Sequence, residues 1–375
     1  MPRIEQWLFF FEIASKRRDT ESWWEPIKES IATFGLKVKL LVSDRARGLI
    51  KLGKPEYLDV CSMPDLFHFQ QDLARGIGAP IGKAWKKAKQ AYYEAKDEYG
   101  ARKTLEAAFL RLDMCRNRYQ NGMHGINKAV QPFTKTGEFK TAKVIKRSII
   151  SCVTLIEEQA EKIDKEVKEK LVAKVFAQIP GILQGIESWQ QWATQSATAF
   201  VTKADIEITD KELKKWLLHY LLPVFIWELT LRRTHSKPKN KKLLKSYKEI
   251  LQKARDKLKG SNLEKFITAE QYNSCVEWAK QTARTFQRSS SQVEGRNGYL
   301  AFVHKANRGI PDQRLQVLTV VHNFDIRSWD GKTPAERLFK QDFPDLFEFV
   351  LENVTGFREP RRFKSNSLIV NAVAL

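Results

Sequence analysis

The stretch Leu36-Lys37-Val38-Lys39-Leu40-Leu41-Val42-Ser43-Asp44 decides how the first part of the chain is read. It alternates apolar and charged residues, then turns wholly apolar, as a strand does when it runs into a buried sheet. Ser43-Asp44 closes it, and Arg45 to Leu52 has the composition of a short helix. Upstream, Thr20 to Phe34 carries Trp24, Ile27 and Ile31 on one helical face and stops at Gly35. Gln6 to Ala14 reads as another strand and Glu56 to Cys61 as a weaker one, and Pro64 opens a helix through Arg75. Strands alternating with helices predict a partly parallel sheet, so residues 1–80 are expected to be α/β.

Gly76-Ile77-Gly78-Ala79-Pro80 punctuates the chain, and the period then changes. Residues 81–286 are long, charged and helical in pattern and are expected to form an all-α block. Breaks are expected at Asn121-Gly122, Thr134 to Gly137, Pro180-Gly181, Ile208 to Asp210 and His235 to Asn240. A polar junction from Arg288 to Glu294 leads into a helix through His304, and Pro311 to Phe324 and Thr333 to Phe339 follow as amphipathic segments. Residues 287–350 thus read as a C-terminal helical part, and 351–375 as a basic tail with Arg358, Arg361, Arg362 and Lys364.

Charge narrows the function. Among 375 residues, 65 Lys and Arg face 44 Asp and Glu, a net charge of +21 that suits a polyanion such as nucleic acid. Aromatic residues at 11%, ten of them Trp, supply large cores and argue against wholesale disorder. Four scattered cysteines suit a reducing compartment better than a disulfide scaffold. The most apolar run, Trp216 to Leu231, contains His219, Pro223 and Glu228 and is shorter than the ~20 residues a membrane span needs. With no secretory signal visible at Met1, the expectation is an intracellular protein associated with DNA in the cytoplasm or nucleoid, with no membrane partner.

Leu231 to Gly260 holds twelve Lys or Arg against two acids. Arg232, Arg233, Lys237, Lys239, Lys241, Lys242 and Lys245 are the candidates there for contact with a DNA backbone; a charge run is usually a solvated helical face, but the net charge of +21 favours binding. Trp85, Trp189, Trp192, Trp216, Trp227 and Trp278 fall on helices and are expected mostly in the core, with base stacking as the alternative for one or two.

Two acids stand out. Asp44 follows a buried strand, at the edge of an open α/β sheet where ligands bind; taken alone, the simpler reading is that Ser43 or Asp44 caps the helix that follows. Glu294 closes Ser291-Gln292-Val293-Glu294, which by itself has the form of a capping box.

Taken in order, Ser43-Asp44-Arg45-Ala46-Arg47-Gly48-Leu49, Pro64-Asp65-Leu66-Phe67-His68, Ser291-Gln292-Val293-Glu294-Gly295-Arg296-Asn297-Gly298-Tyr299-Leu300 and Lys332-Thr333-Pro334-Ala335-Glu336-Arg337-Leu338 resemble a DDE transposase of the insertion-sequence and Mutator-like kind. The resemblance spans essentially the whole chain. It implies a ribonuclease-H-like core, incomplete here, interrupted by a large helical insertion domain. It further implies that Asp44 and Glu294 are catalytic and bind metal, Mg²⁺ or Mn²⁺, in a two-metal site for cleavage and strand transfer of DNA. Such sites hold two ions ~3.5–4 Å apart over the scissile phosphate, and magnesium takes hard oxygen ligands. Element ends and target DNA are the implied partners, with self-association of the chain.

The family's first Asp lies on a strand ahead of any seen here, and Glu5, Glu12 and Asp19 do not match its context. A truncated copy is therefore expected, weak or inactive by itself, and a noncatalytic DNA-binding derivative is the alternative. His68, with Cys61, resembles a Cys/His feature of such enzymes, but a packed histidine is the simpler reading. The Cys and His spacings, Cys115 with His124 included, do not make a four-ligand zinc site, so no zinc is expected. Arg296 and Asn297 are candidate neighbours of the scissile phosphate or ordinary helix surface.

Overall fold

The computed structural model describes residues 19–353 apart from 45, 96–98, 164–168, 205, 207, 290, 307–308 and 328–330. The expected strand Gln6 to Ala14 and the arginines of the tail lie outside the described residues. The fold is mostly helical with one small parallel sheet. The chain divides into two units, residues 1–2 with 15–298 and residues 3–14 with 299–375.

In the first unit, α1 (Thr20–Phe34) starts where the Asp19 carboxylate accepts the Ser22 N–H at 2.8 Å, and it ends at Gly35 in the left-handed region, φ 59°. Then come β1 (Leu41–Ser43), α2 (Arg47–Lys51), β2 (Ser62–Pro64) and α3 (Leu66–Leu73). Strands β1 and β2 pair in parallel, Leu41 with Ser62, Val42 with Met63 and Ser43 with Pro64.

The sheet is smaller than the sequence pattern predicts. Only the apolar end of Leu36 to Val42 pairs, and Glu56 to Cys61 is not a strand. That segment instead wraps the end of α2: Leu58 N–H donates to Leu52 O, Val60 N–H to Gly53 O, and Asp59 takes φ 48°. Pairing resumes at Ser62 because Met63 and Pro64 are the residues that find an apolar partner, helix α8 (Ile179–Val201). Gly181 and Gly185, one turn apart, let that helix sit on the sheet; a Cβ on Gly185 would fall 2.6 Å from Met63 Sδ. Pro64, with no N–H to give a ladder, closes β2.

Gly76 to Pro80 is not a break. Residues Ala74–Gly78 form one π turn between α3 and α4 (Ala79–Glu94), and Pro80 follows directly after it, so the backbone stays helical from Leu66 to Glu94. Nor does α5 (Tyr99–Ala129) break at Asn121-Gly122. Gly122 and Gly125 instead allow close approach of α6 (Ala142–Glu161), since side chains there would collide with Ile156 and Cys152. The expected turn at Thr134 to Gly137 is present, joining Phe133 and Phe139 in an antiparallel bridge. Pro180-Gly181 opens α8 rather than interrupting a helix, after α7 (Glu169–Phe176).

Helices α9 (Asp210–Trp216), α10 (Leu222–Arg233), α11 (Lys241–Gly260) and α12 (Ala269–Thr285) complete the block, and α13 (Ser291–Ala306) leads out of it. Buried apolar side chains from Met63 to Phe286 form one continuous core containing Trp189, Trp216, Trp227 and Trp278. The apolar run at Trp216 to Leu231 is thus core, packed against α11 and α12. Among the described residues no helix is long and apolar enough to cross a membrane.

In the second unit, α14 (Asp312–Phe324), α15 (Pro334–Phe339) and α16 (Leu346–Asn353) follow. The Thr333-Pro334-Ala335-Glu336 motif is a capping box with Pro at the first helical position. Glu336 N–H donates to Thr333 Oγ1 at 3.2 Å, and Thr333 N–H to Glu336 Oε2 at 2.7 Å.

Candidate functional site

The parallel pair fixes where its C-terminal edge lies. Asp65 N–H donates to Ser43 O at 2.9 Å, so Asp44 and Asp65 leave the sheet at the same edge. Asp44 is exposed and its Oδ1 accepts the Ala46 N–H at 3.1 Å, bracing the turn into α2 without reaching the amides inside that helix. The capping alternative is met in this limited form. Asp65, which the sequence patterns do not single out, is only 1% exposed and caps α3 through the Phe67 N–H at 2.7 Å. His68 is half-buried, with Nε2 3.8 Å from Asp65 Oδ2 and its ring edge-on to Phe67.

A third segment joins the edge: Leu66 N–H donates to Arg288 O at 2.9 Å. The polar junction read as a linker therefore lies against the start of α3. Three residues later α13 begins and puts Glu294 in its first turn; the side chains of Ser291 and Glu294 lie outside the described set. Arg296 is buried and Asn297 is exposed. Among the described residues, no group of three or more His, Cys, Asp or Glu is placed to hold a metal ion, and the four cysteines are free thiols.

Next to this edge is a basic region. Helix α11 buries Leu243, Tyr247, Ile250, Leu251, Ala254 and Leu258 along one face, leaving Lys241, Lys242, Lys245 and Lys248 in solvent. Arg232, Lys237 and Lys239 are also exposed, and Arg232 pairs with Glu228 one turn back. Lys257 has a structural task instead, donating to Thr136 O at 2.6 Å and lying over the Tyr220 ring.

Arg233 behaves differently from its neighbours. It turns inward, donates to Phe286 O at 3.3 Å, and meets Arg288, whose guanidinium donates to Asn127 O at 3.4 Å. With the Gln131 amide oriented so that its oxygen faces Arg288, that oxygen accepts from both Arg288 terminal nitrogens, at 3.1 and 3.3 Å. Lys140 lies in the same interior and donates to Lys128 O at 2.6 Å and Ala129 O at 3.2 Å. Arg288 and Lys140 thus satisfy carbonyls at the C-terminus of α5, which its dipole makes attractive to cations. Burial, with Arg288 nearby, lowers the Lys140 amine to about 8 and the Arg233 guanidinium to about 10. Burial lowers Arg288 as well.

Arg288 and Lys140 carry no sequence signal as a pair; only packing brings them together.

A family of unknown function, DUF6399, matches residues 217–366. No curated protein and no solved structure matches the chain.

Proposed function

We propose that the chain is a DNA transposase of the DDE kind, its ribonuclease-H-like core interrupted by the helical block, with Asp44 and Glu294 acting on a DNA phosphate. The observation that carries the reading is the Leu66–Arg288 backbone hydrogen bond. It draws the lead-in to the Glu294 helix to the strand edge that ends in Asp44, across the whole helical block. The exposed lysines of α11, with no carboxylate within ion-pair distance among the described residues, supply a surface for the DNA backbone.

Asp44 suits one magnesium ligand: a hard oxygen donor, exposed, with only Oδ1 engaged among the described residues. Asp44 and Glu294 are the residues that would hold divalent metal, which when bound activates the attacking oxygen and stabilises the leaving one. The protein's own part is to hold the acids at one edge and the DNA against α11. The alternative, DNA binding without chemistry, is favoured by the lack of a three-acid group among the described residues.

Calorimetric titration of the chain with MnCl₂, beside a Mn²⁺-dependent nicking assay on plasmid DNA, tests the reading. Metal binding that Asp44→Asn and Glu294→Gln each abolish supports the shared site. Binding unchanged in both variants rejects it, and DNA binding without nicking selects the noncatalytic alternative.

A further inference from the structure

Between the start of α3, the C-terminal part of α5, the α10–α11 connection and the non-helical segment at Gln287 to Ser289 lies a cavity of about 440 Å³, in the range of small-ligand sites. Arg233, Arg288, Lys237 and Lys239 line it together with His235, Asn127 and Tyr247, and no Asp or Glu does. We propose that this cavity binds a phosphate group presented by a nucleic-acid strand. The source of the phosphate rests on the DNA reading above; the cavity's demand for an anion does not.

Three independent features point the same way. The first is uncompensated charge. The two arginines use backbone carbonyls and the Gln131 amide as partners, and no carboxylate pairs with either among the described residues. Each guanidinium carries five N–H donors, so donors remain after these contacts. Burial, and after it the repulsion from Arg288, hold Arg233 below its usual range, a penalty that an anion between the two arginines would relieve.

The second feature is the start of α11. Asn240 and Leu243 line the cavity, and this 20-residue helix begins with Lys241 and Lys242, has no acidic residue in its first turn and receives no side-chain cap. Asn240 turns its amide to His235 O instead, at 3.0 Å. Lysines at a helix N-terminus oppose its dipole, and a bound anion there would reverse the sign.

The third is the make-up of the wall, where Gln70, Asn127 and Asn240 add neutral amides to the two arginines and no acid among the described residues takes part. Cationic and neutral donors without an acid suit an anion rather than a cation or an apolar ligand. Phosphate oxygens answer a forked guanidinium in bidentate fashion. Lys237 and Lys239 are exposed and mark the side from which a strand would enter.

The test uses the full chain and two probes: sodium phosphate followed by calorimetry at constant ionic strength, and a labelled single-stranded DNA 12-mer followed by anisotropy. Arg233→Gln is expected to weaken both at least about tenfold, as removal of a charge-assisted hydrogen bond does. Lys245→Gln with Lys248→Gln, farther along α11 and outside the cavity, is expected to weaken the 12-mer and leave phosphate unchanged. Arg288→Lys keeps a cation for the Asn127 carbonyl but loses the fork, and is expected to weaken phosphate. If Arg233→Gln misfolds, Lys237→Gln with Lys239→Gln on the exposed rim replaces it, with about a threefold loss expected for both probes. Unchanged binding of both probes in the cavity variants overturns the site. Loss of the 12-mer only in the α11 variants overturns the site and leaves the DNA reading standing. Phosphate held by the wild-type cavity without any binding of the 12-mer overturns the nucleic-acid source.

Discussion

Leu66 and Arg288 are joined backbone to backbone, the amide of the first donating to the carbonyl of the second at 2.9 Å. Leu66 is the first residue of α3, and Asp65 before it is extended at φ −66°, ψ 118°. An extended residue suits the position before a proline, and the first helical position suits proline itself. Leu66→Pro therefore removes the N–H without breaking the helix. Relative to Leu66→Val, which keeps the donor, it is expected to cost a further ~1–3 kcal/mol in urea unfolding. Hydrogen exchange in the first turn of α13 should also speed up; equal exchange in the two variants would detach that helix from the sheet edge.

Gly185 is expected to be intolerant for a reason that can be separated from helix propensity. Gly185→Ala favours the helix by up to ~1 kcal/mol but drives a methyl into Met63. A net loss of about 1–3 kcal/mol is expected. Met63→Ala should be less damaging in the Gly185→Ala background than in the wild type; additive losses in a double-mutant cycle would contradict the packing described.

Lys140 sets a pH dependence. Its folded-state value near 8 lies below the ordinary 10.5, so between these limits the unfolded chain binds the extra proton and stability rises with pH. Lys140→Met removes this effect. The wild type should gain on the variant by on the order of 1 kcal/mol between pH 8 and 10.5, after allowance for solvent screening. Melting curves of the two proteins over that range check it, and parallel pH profiles would refute it.

The α11 lysines are expected to act through counterion release. Replacing Lys241, Lys242 and Lys245 with Gln should reduce the slope of log affinity against log salt by roughly 0.7–0.9 for each phosphate that is no longer neutralised. Titrations with duplex DNA at several salt concentrations measure this. An unchanged slope would return these lysines to the role of solvated surface.

Periodicity is informative where burial is one-sided. The stripes of α1 and α11 and the capping box at Thr333 are set by neighbours three or four residues away, so composition and spacing suffice. Glycine misleads because two opposite uses share one letter. At Gly122 the absent side chain makes room for α6, not for a turn, and that depends on a helix met only in three dimensions. Glu56 to Cys61 has strand-like residues, yet pairing begins only where Met63 and Pro64 find α8. Asp44 can be placed at a sheet edge from its local context alone. Arg288 cannot be, because its partners Leu66, Asn127 and Gln131 lie far back along the chain.

That distance has a consequence for biosynthesis. At ribosomal speeds of 5–20 residues per second, roughly two hundred and twenty residues must emerge after Leu66 before Arg288 exists, about 10–40 s. For that interval the first strands stand as an unfinished edge while the local contacts of α4, α5 and α6 form around them. The nascent chain thus acquires its helical body first, and the corner where Leu66 meets Arg288 closes only after it.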